Sequence, residues 1–305
     1  MRHLILTQAL LVLTLVASGV RAAEAPEAEN SAPAPVHLHP GDVLSGAFLS
    51  IPGDLVTLTT APFQDAKADA VVLGSLLALV AMDMPSTKFL QTHVESRLTY
   101  HWSGPSLGFT HLGGADGYLV ACIPAYYLGS LAADHSDGQV AAVLSVKASA
   151  YAVLYAQLLG KSLTGRNRPN PDLASGQSAE APFTNNPWDW GHLHQPYFGG
   201  KAEGTAFPSF HYTLYFAVAS VFHHVYDSPW LPYGVAAVAL GADIKGHRHW
   251  VSDCVAGAAL GIGIGQVTVR NFYRTSLPKG RALTVSLQPA LGLDGGYGLA
   301  LKADW

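Results

Sequence analysis

Residues 207–226 read FPSFHYTLYFAVASVFHHVY and carry the clearest indication of the fold. Ser209 is a residue type that often caps helices, and the apolar run after it predicts a helix over 209–226. Because this run is apolar on nearly every side, we expect the helix in a bundle core or in a membrane. The amides of a first helical turn attract anions, and His211 lies within reach of that position. The stretch predicts an anion site, although His211 alone could equally be a histidine bonded to a neighbouring loop.

Five more segments rich in Ala, Leu and Val have the same character. They are 68–82, 117–133, 139–160, 232–244 and 250–270. Their uninterrupted apolar runs are about 12–17 residues long, whereas a membrane span needs about 18–20. Polar residues such as Asp83 and Lys147 also interrupt or flank them. We therefore expect an all-α fold, a buried helical bundle, with membrane insertion as the alternative.

The composition excludes several classes of protein. Apolar residues make up 49% of the 305 residues and charged residues 12%, against about 25% charged in a usual soluble domain. A disordered chain or a coiled coil needs far more charge. The net charge of −4 without a basic run argues against nucleic-acid binding. The 31 Gly and 19 Pro residues have no fixed period, which excludes collagen.

The N-terminus is typical of an exported protein. Arg2 precedes an apolar run at 10–16, and small residues allow cleavage after Ala22, so 1–22 is predicted to be a signal peptide. A retained membrane anchor is the alternative. Residues 23–41 are rich in Ala and Pro and are interpreted as a linker. The expected location is the periplasm or the cell envelope, with association with a membrane as an option.

The main domain is expected at 42–275, and two parts of the chain stand apart from its helical pattern. Residues 170–207 are irregular and hold several aromatic side chains, which favours an ordered, lid-like insertion. Residues 276–305 alternate apolar and small residues around a Gly pair, which predicts a β-hairpin or a packed tail.

Two residue pairs could in principle form a disulfide or bind a metal ion. Cys122 and Cys254 lie in apolar stretches and are interpreted as buried free thiols, with a disulfide left open. His192 and His194 are the nearest approach to a metal-ligand pair, and we interpret them as loop or substrate contacts. No metal and no cofactor are therefore predicted.

Two further clusters carry chemistry. Lys161 and Arg168 are seven residues apart, so on one helix both would project from the same face and could hold an oxyanion, with the helix ending before Pro169. Such residues can also merely offset a helix dipole. His249 and Asp253 are four apart and share a helix face, where the carboxylate can orient the imidazole as it does in a catalytic triad. Such a pair can also be structural.

Together, Lys-x6-Arg-Pro, Pro-Ser-x-His and His-x3-Asp, in this order over 161–253, resemble the motifs of the phosphatidic acid phosphatase type 2 superfamily. That superfamily includes lipid phosphate phosphatases, bacterial class A acid phosphatases and vanadium haloperoxidases. The resemblance implies its all-helical bundle, here with a short C-terminal β-hairpin.

The resemblance also implies a role for each motif residue. His249 would attack phosphorus and carry a phosphohistidine, Asp253 would orient it, and His211 would protonate the leaving oxygen. The implied catalytic residues are His249, His211 and Asp253, and the implied substrate-binding residues are Lys161, Arg168 and Ser209. Positioning and charge neutralisation of this kind are what phosphoryl transfer requires.

Two residues depart from the superfamily pattern. Phe210 stands where the superfamily usually has Gly, and its ring could crowd the approach of the backbone to phosphate. Asp243 stands six residues before His249, where an Arg is usual, and a carboxylate there would repel phosphate. Lys245 or Arg248 could supply the missing cation.

The expected function is that of an exported phosphatase, without a required metal, acting on a phosphomonoester or a lipid (pyro)phosphate. The alternative is a weak or inactive relative that binds phosphate or an anionic lipid without turnover, and the two departures favour it. A vanadate-dependent haloperoxidase is a third reading, and the same departures weaken it. The expected partner is a phosphorylated small molecule or lipid.

Overall fold

The computed structural model describes residues 37–61, 64–93, 117–196, 203–228, 230–241, 249–276, 284–291 and 297–304. Within these residues the fold is all-α, as predicted, with two small two-stranded sheets. The helices are α1 Pro40–Leu49, α2 Ile51–Thr60, α3 Ala66–Phe89, α4 Gly117–Ala132, α5 Ser136–Ala152, α6 Lys161–Thr164, α7 Phe210–Tyr226, α8 Trp230–Gly241 and α9 Val251–Ser276. A π-helical stretch, Val153–Gly160, joins α5 to α6 without a break.

Helices α1 and α2 are absent from the sequence prediction. Each begins with a proline in its first turn, a position where the missing N–H costs no helical hydrogen bond. α1 begins at Pro40, inside the segment interpreted as a linker. The predicted signal peptide lies outside the described residues.

The most extensive helix contact in the described chain joins α7 and α9, and three glycines of α9, spaced four residues apart, lie in it. A Cβ atom added at Gly257 would lie 2.5 Å from the Ser209 carbonyl oxygen, and one added at Gly261 would lie 2.4 Å from that of Thr213. At Gly265 the added atom would lie 2.5 Å from the Ala217 carbonyl oxygen. Small residues at this spacing let two helix backbones approach closely. The glycines therefore set how the starts of α7 and α9 meet.

The main core lies where α5, α7 and α9 pack together. Its fully buried members include Val140, Leu144, Ala217, Ile264 and Phe272. The α1–α2 pair joins this core partly through a buried ion pair, in which Lys147 Nζ lies 2.8 Å from Asp54 Oδ2. An ion pair buried this way needs further hydrogen bonds, and Tyr151 and Ser50 provide them.

Four helical rods are long and apolar enough to cross a membrane in the described part of the chain. They are Pro40–Thr60, Ala66–His93, Ser136–Thr164 and Val251–Ser276, with 21 to 29 residues each. The expectation that the apolar segments are too short is therefore wrong for 68–82, 139–160 and 250–270, because each helix continues past its uninterrupted apolar run. Between 22% and 61% of each apolar window is buried inside the fold. The remaining apolar surface suggests membrane association.

The remaining described features are small. The short strands β1 Arg168–Pro169 and β2 Phe183–Thr184 pair in parallel. The antiparallel pair β3 Thr284–Leu291 and β4 Tyr297–Asp304 forms the C-terminal hairpin of the expected fold. Cys122 is exposed and Cys254 is half-buried, and neither forms a disulfide within the described residues. The expectation that both thiols are buried is therefore wrong for Cys122, because α4 turns that face away from the core.

Candidate active site

Four chain segments meet at one end of the bundle. They are the end of α6, the short strand β1 Arg168–Pro169, the start of α7 and the start of α9. The Ser209 amide donates to the Asp253 carbonyl oxygen at 3.0 Å, so the first turns of α7 and α9 are bonded directly to each other. The Thr164 hydroxyl donates to the Phe207 carbonyl oxygen at 2.9 Å, which ties α6 to the same place. The three predicted motifs therefore converge.

His249 and Asp253 form the predicted pair. His249 Nδ1 lies 3.4 Å from Asp253 Oδ2, a long hydrogen bond, and the two side chains are 2% and 0% exposed. The Trp250 amide donates to the same carboxylate oxygen at 2.9 Å, so the carboxylate orientation does not depend on the histidine. A carboxylate at Nδ1 selects the tautomer with its lone pair on Nε2. The geometry suits an oriented nucleophile.

The surroundings of His249 keep its imidazole neutral. Burial holds the pKa of His249 well below its usual value, and the charges of Arg168 and Lys161 lower the pKa further. A neutral imidazole at neutral pH has the lone pair that an attack on phosphorus needs. The same two cations are the groups that would receive a phosphoryl anion.

The two cations reach the site from different kinds of structure. Lys161, in α6, donates from Nζ to Gln157 Oε1 at 2.6 Å. Arg168 donates from Nη2 to the Thr205 carbonyl oxygen at 3.0 Å. The prediction that both cations sit on one helix is wrong: α6 ends at Thr164 and Arg168 lies in β1. The reason is Gly165.

Gly165 ends α6 because its backbone is left-handed, with φ of 56°. The His192 backbone passes so close that a Cβ on Gly165 would lie 2.4–2.6 Å from it. Both facts require glycine at this position. The chain beyond Gly165 then runs extended, which carries Arg168 back towards His249.

Ser209 occupies the predicted N-cap position, but its hydroxyl does not cap α7. The residue is 0% exposed, and its Oγ has no hydrogen-bond partner among the described residues. Leaving a buried hydroxyl without a partner costs about 1–3 kcal/mol. A phosphoryl oxygen bound between the cations and the start of α7 would satisfy it.

Of the two departures, only Phe210 is described. Its ring packs against the main core, and Lys161 Nζ lies 5.9 Å from the ring centroid. The ring therefore lies beside Lys161, one of the two cations predicted to bind substrate. Asp243, with Lys245 and Arg248, lies outside the described residues.

Arg166 and Asp83 belong to the site, although the sequence reasoning gave neither a role. Arg166 donates to Asp253 Oδ1 at 2.6 Å and to Asp83 Oδ2 at 2.7 Å. The guanidinium carbon lies 4.5 Å from the Trp190 ring centroid and 5.5 Å from that of Trp250. The signals in the sequence were a third cation inside the first motif and an acid inside an apolar helix.

Trp190 and His192 attach the irregular segment to the site. Trp190 packs against Phe207 with ring centroids 5.2 Å apart. His192 lies between two carboxylates, with Nε2 2.8 Å from Asp189 and Nδ1 2.7 Å from Glu203. Burial alone would raise the pKa of Asp189, but hydrogen bonds, that with His192 foremost, lower its pKa overall.

His192 and His194 do not form a metal-ligand pair in this structure. Both ring nitrogens of His192 face carboxylates, and His194 Nδ1 bonds the Gln195 carbonyl oxygen at 2.7 Å. Among the described residues, no group of three or more His, Cys, Asp or Glu side chains could hold a metal ion.

Comparisons with known proteins agree with this geometry. The family model of the PAP2 superfamily matches residues 139–276, which contain all six predicted site residues. A lipid A 1-phosphatase of Porphyromonas gingivalis (strain ATCC 33277) is 40% identical over 75 residues, which is 22% of this chain and 17% of that protein. The similarity thus spans about a sixth of the length of that relative. No solved structure matches the chain.

Proposed function

We propose that the chain is an exported phosphatase with a phosphohistidine intermediate, because residues 139–276 match the family model of the PAP2 superfamily. Its substrate is a phosphomonoester or a lipid (pyro)phosphate. The observation that carries the proposal is the site around His249: a buried neutral imidazole oriented by Asp253, with two buried cations nearby. The Ser209 hydroxyl, which has no hydrogen-bond partner within the described part of the chain, lies at the same place.

The first half of the reaction forms the phosphoenzyme. Lys161, Arg168 and Ser209 bind the phosphoryl oxygens and offset their charge. His249 Nε2 attacks phosphorus, and the bond from phosphorus to the leaving oxygen breaks. His211 donates its proton to that oxygen.

The second half of the reaction regenerates the enzyme. His211, now without its proton, takes one from water, and the water oxygen attacks phosphorus. The bond from phosphorus to nitrogen breaks, which releases phosphate and neutral His249. Asp253 offsets the positive charge that the ring carries between the two steps.

A lipid phosphate is the favoured substrate class. Four described rods have the length and hydropathy of membrane spans, and exposed apolar side chains extend this surface, among them Phe48 at 73% and Trp230 at 84% exposed. The named activity of the partial relative is that of a lipid A 1-phosphatase. The proposed location is accordingly the cell envelope, in association with a membrane.

A second candidate is a relative that binds phosphate or an anionic lipid without turnover. The Phe210 ring centroid lies 5.9 Å from Lys161 Nζ, so a departure from the superfamily pattern stands beside a proposed substrate-binding cation. Asp243 adds a carboxylate where the superfamily usually has an arginine.

The test measures phosphate release from a chromogenic monoester, a prenyl pyrophosphate and a lipid A phosphate, with the protein purified in detergent and with a chelator present. We expect release that His249→Ala abolishes. His93→Ala, a change at an exposed histidine at the end of the Ala66–His93 rod, should leave the release intact. No release from any of the three, with orthovanadate binding retained, would support the non-catalytic candidate. In that case Asp243→Arg should restore turnover if Asp243 is the cause of the missing activity. A loss of orthovanadate binding in Asp243→Arg would instead mean that Asp243 is part of the site.

A further inference from the structure

Arg166 shares one guanidinium between two carboxylates that belong to different helices. Nη1 donates to Asp253 Oδ1 at 2.6 Å, and Nη2 donates to Asp83 Oδ2 at 2.7 Å. All three side chains are 0% exposed. Asp83, on α3, also accepts the Ser252 amide at 2.8 Å, although 169 residues separate the two in sequence. One cation and two anions thus form a buried cluster directly behind the His249–Asp253 pair.

We propose that Asp83 is a positioning residue for His249: by sharing Arg166, it leaves Asp253 with the negative charge needed to orient and activate the imidazole. The proposal deepens the proposed function and rests on it. Asp83 touches neither the substrate position nor the reacting atoms, and it acts through Arg166.

The charges of the cluster explain why a second carboxylate is needed. Arg166 and Asp253 alone would be a neutral pair, and the guanidinium would compete with the imidazole for the carboxylate. Asp83 takes up half of the guanidinium fork, so the cluster as a whole carries one negative charge. That charge favours the positive imidazole ring of the phosphohistidine, because a dry interior screens it weakly.

The remaining charged neighbours of His249 act in the opposite sense. Lys161 from α6, Arg168 from β1 and His211 from α7 all disfavour a positive imidazole. The negative groups that oppose them are Asp253 and, through Arg166, Asp83. Removal of Asp83 therefore leaves the cations dominant at His249.

A purely structural role for Asp83 predicts a different result. Asp83 and Ser252 link α3 to the first turn of α9, so losing the link would lower stability alone. A shift in the titration of His249 separates the electrostatic role from the structural one. Asp54 supplies the matched control, because it is also 0% exposed and paired with a cation, Lys147, but belongs to α2.

The experiment titrates the His249 ring by NMR in full-length protein labelled at histidine, with His249→Ala to assign the signal. We expect Asp83→Asn to lower the pKa of His249 by about one unit, the order of magnitude for loss of one buried charge that acts through an intervening side chain. The acid limb of kcat/KM should move by the same amount, and kcat should fall about tenfold, as for other outer supports of a site. Asp54→Asn should lower the unfolding temperature and leave both titrations in place.

An unchanged His249 titration in folded Asp83→Asn would overturn the proposal and leave Asp83 a structural link. If Asp83→Asn does not fold, Asp83→Ser takes its place with the same expected shift, since its hydroxyl can still accept the Ser252 amide. The NMR titration does not depend on turnover. An absence of activity in the wild type would therefore refute the proposed function while still testing the role of Asp83.

Discussion

Gly257→Ala tests whether the close approach of α7 and α9 builds the site. The added Cβ would lie 2.5 Å from the Ser209 carbonyl oxygen and 3.1 Å from Tyr212 Cβ. An ordinary contact there is about 3.5 Å, so the start of α7 must move by about 1 Å. Gly257 lies one turn after Asp253, so this movement falls on the Ser209–Asp253 hydrogen bond.

The expected effect has two parts. Overpacking of this kind costs about 1–3 kcal/mol of stability. A displacement of about 1 Å at substrate-positioning groups can lower a rate about 100-fold. Because Ser209 and His211 both lie on the displaced turn, we expect kcat/KM to fall about 10- to 100-fold.

Two glycine variants separate stability from geometry. Gly265→Ala has a clash at least as severe, with the added carbon 2.5 Å from both the Ala217 carbonyl oxygen and Ser220 Cβ, but it lies two turns farther from Asp253. It should lose similar stability and keep most of the activity. Gly74→Ala has no atom within 4 Å of the added carbon, and it should gain up to about 1 kcal/mol because alanine is the better helix former.

The assay is initial-rate phosphate release together with thermal unfolding in the same detergent buffer. The reasoning fails if Gly257→Ala keeps wild-type activity while its unfolding temperature falls as far as that of Gly265→Ala. Such a result would mean that the helix contact supports the fold without setting the geometry of the site.

Three further predictions follow from the site. Ser209→Ala should raise KM about tenfold and raise the unfolding free energy by about 1–3 kcal/mol, because it removes a buried hydroxyl whose Oγ has no partner among the described residues; a loss of stability on chemical denaturation would contradict this. Arg166→Lys should lower stability by about 3 kcal/mol or more, since an ammonium cannot serve Asp83 and Asp253 with the fork geometry; a denaturation midpoint equal to wild type would refute it. The low pKa of His249 leaves its ring neutral into acidic solution. The acid limb of the pH profile of kcat/KM should therefore lie below pH 6.5. An acid limb above pH 6.5 would show that the resting enzyme holds a protonated His249.

The sequence was sufficient for the fold class and for the choice of candidate residues. Apolar runs at helical length predict the bundle, and residue chemistry at short spacing singles out His249 with Asp253 and Ser209 with His211. These inferences hold because helical neighbours up to four residues apart interact locally. Pro40–Thr60 was missed because it carries no motif and only modest apolar periodicity.

Local spacing was not sufficient for the position of Arg168 or for the role of Arg166. Gly165 breaks the helix that the spacing assumed, because the His192 backbone must pass against it. Arg166 donates hydrogen bonds to Asp83 and Asp253, which lie 83 and 87 residues away from it in the sequence. Such contacts depend on how whole helices pack, and the glycines of α9 control that packing. The residue types that a phosphate site needs can therefore be recognised from the sequence. The charge balance around His249 arises only when α3, α7 and α9 pack together.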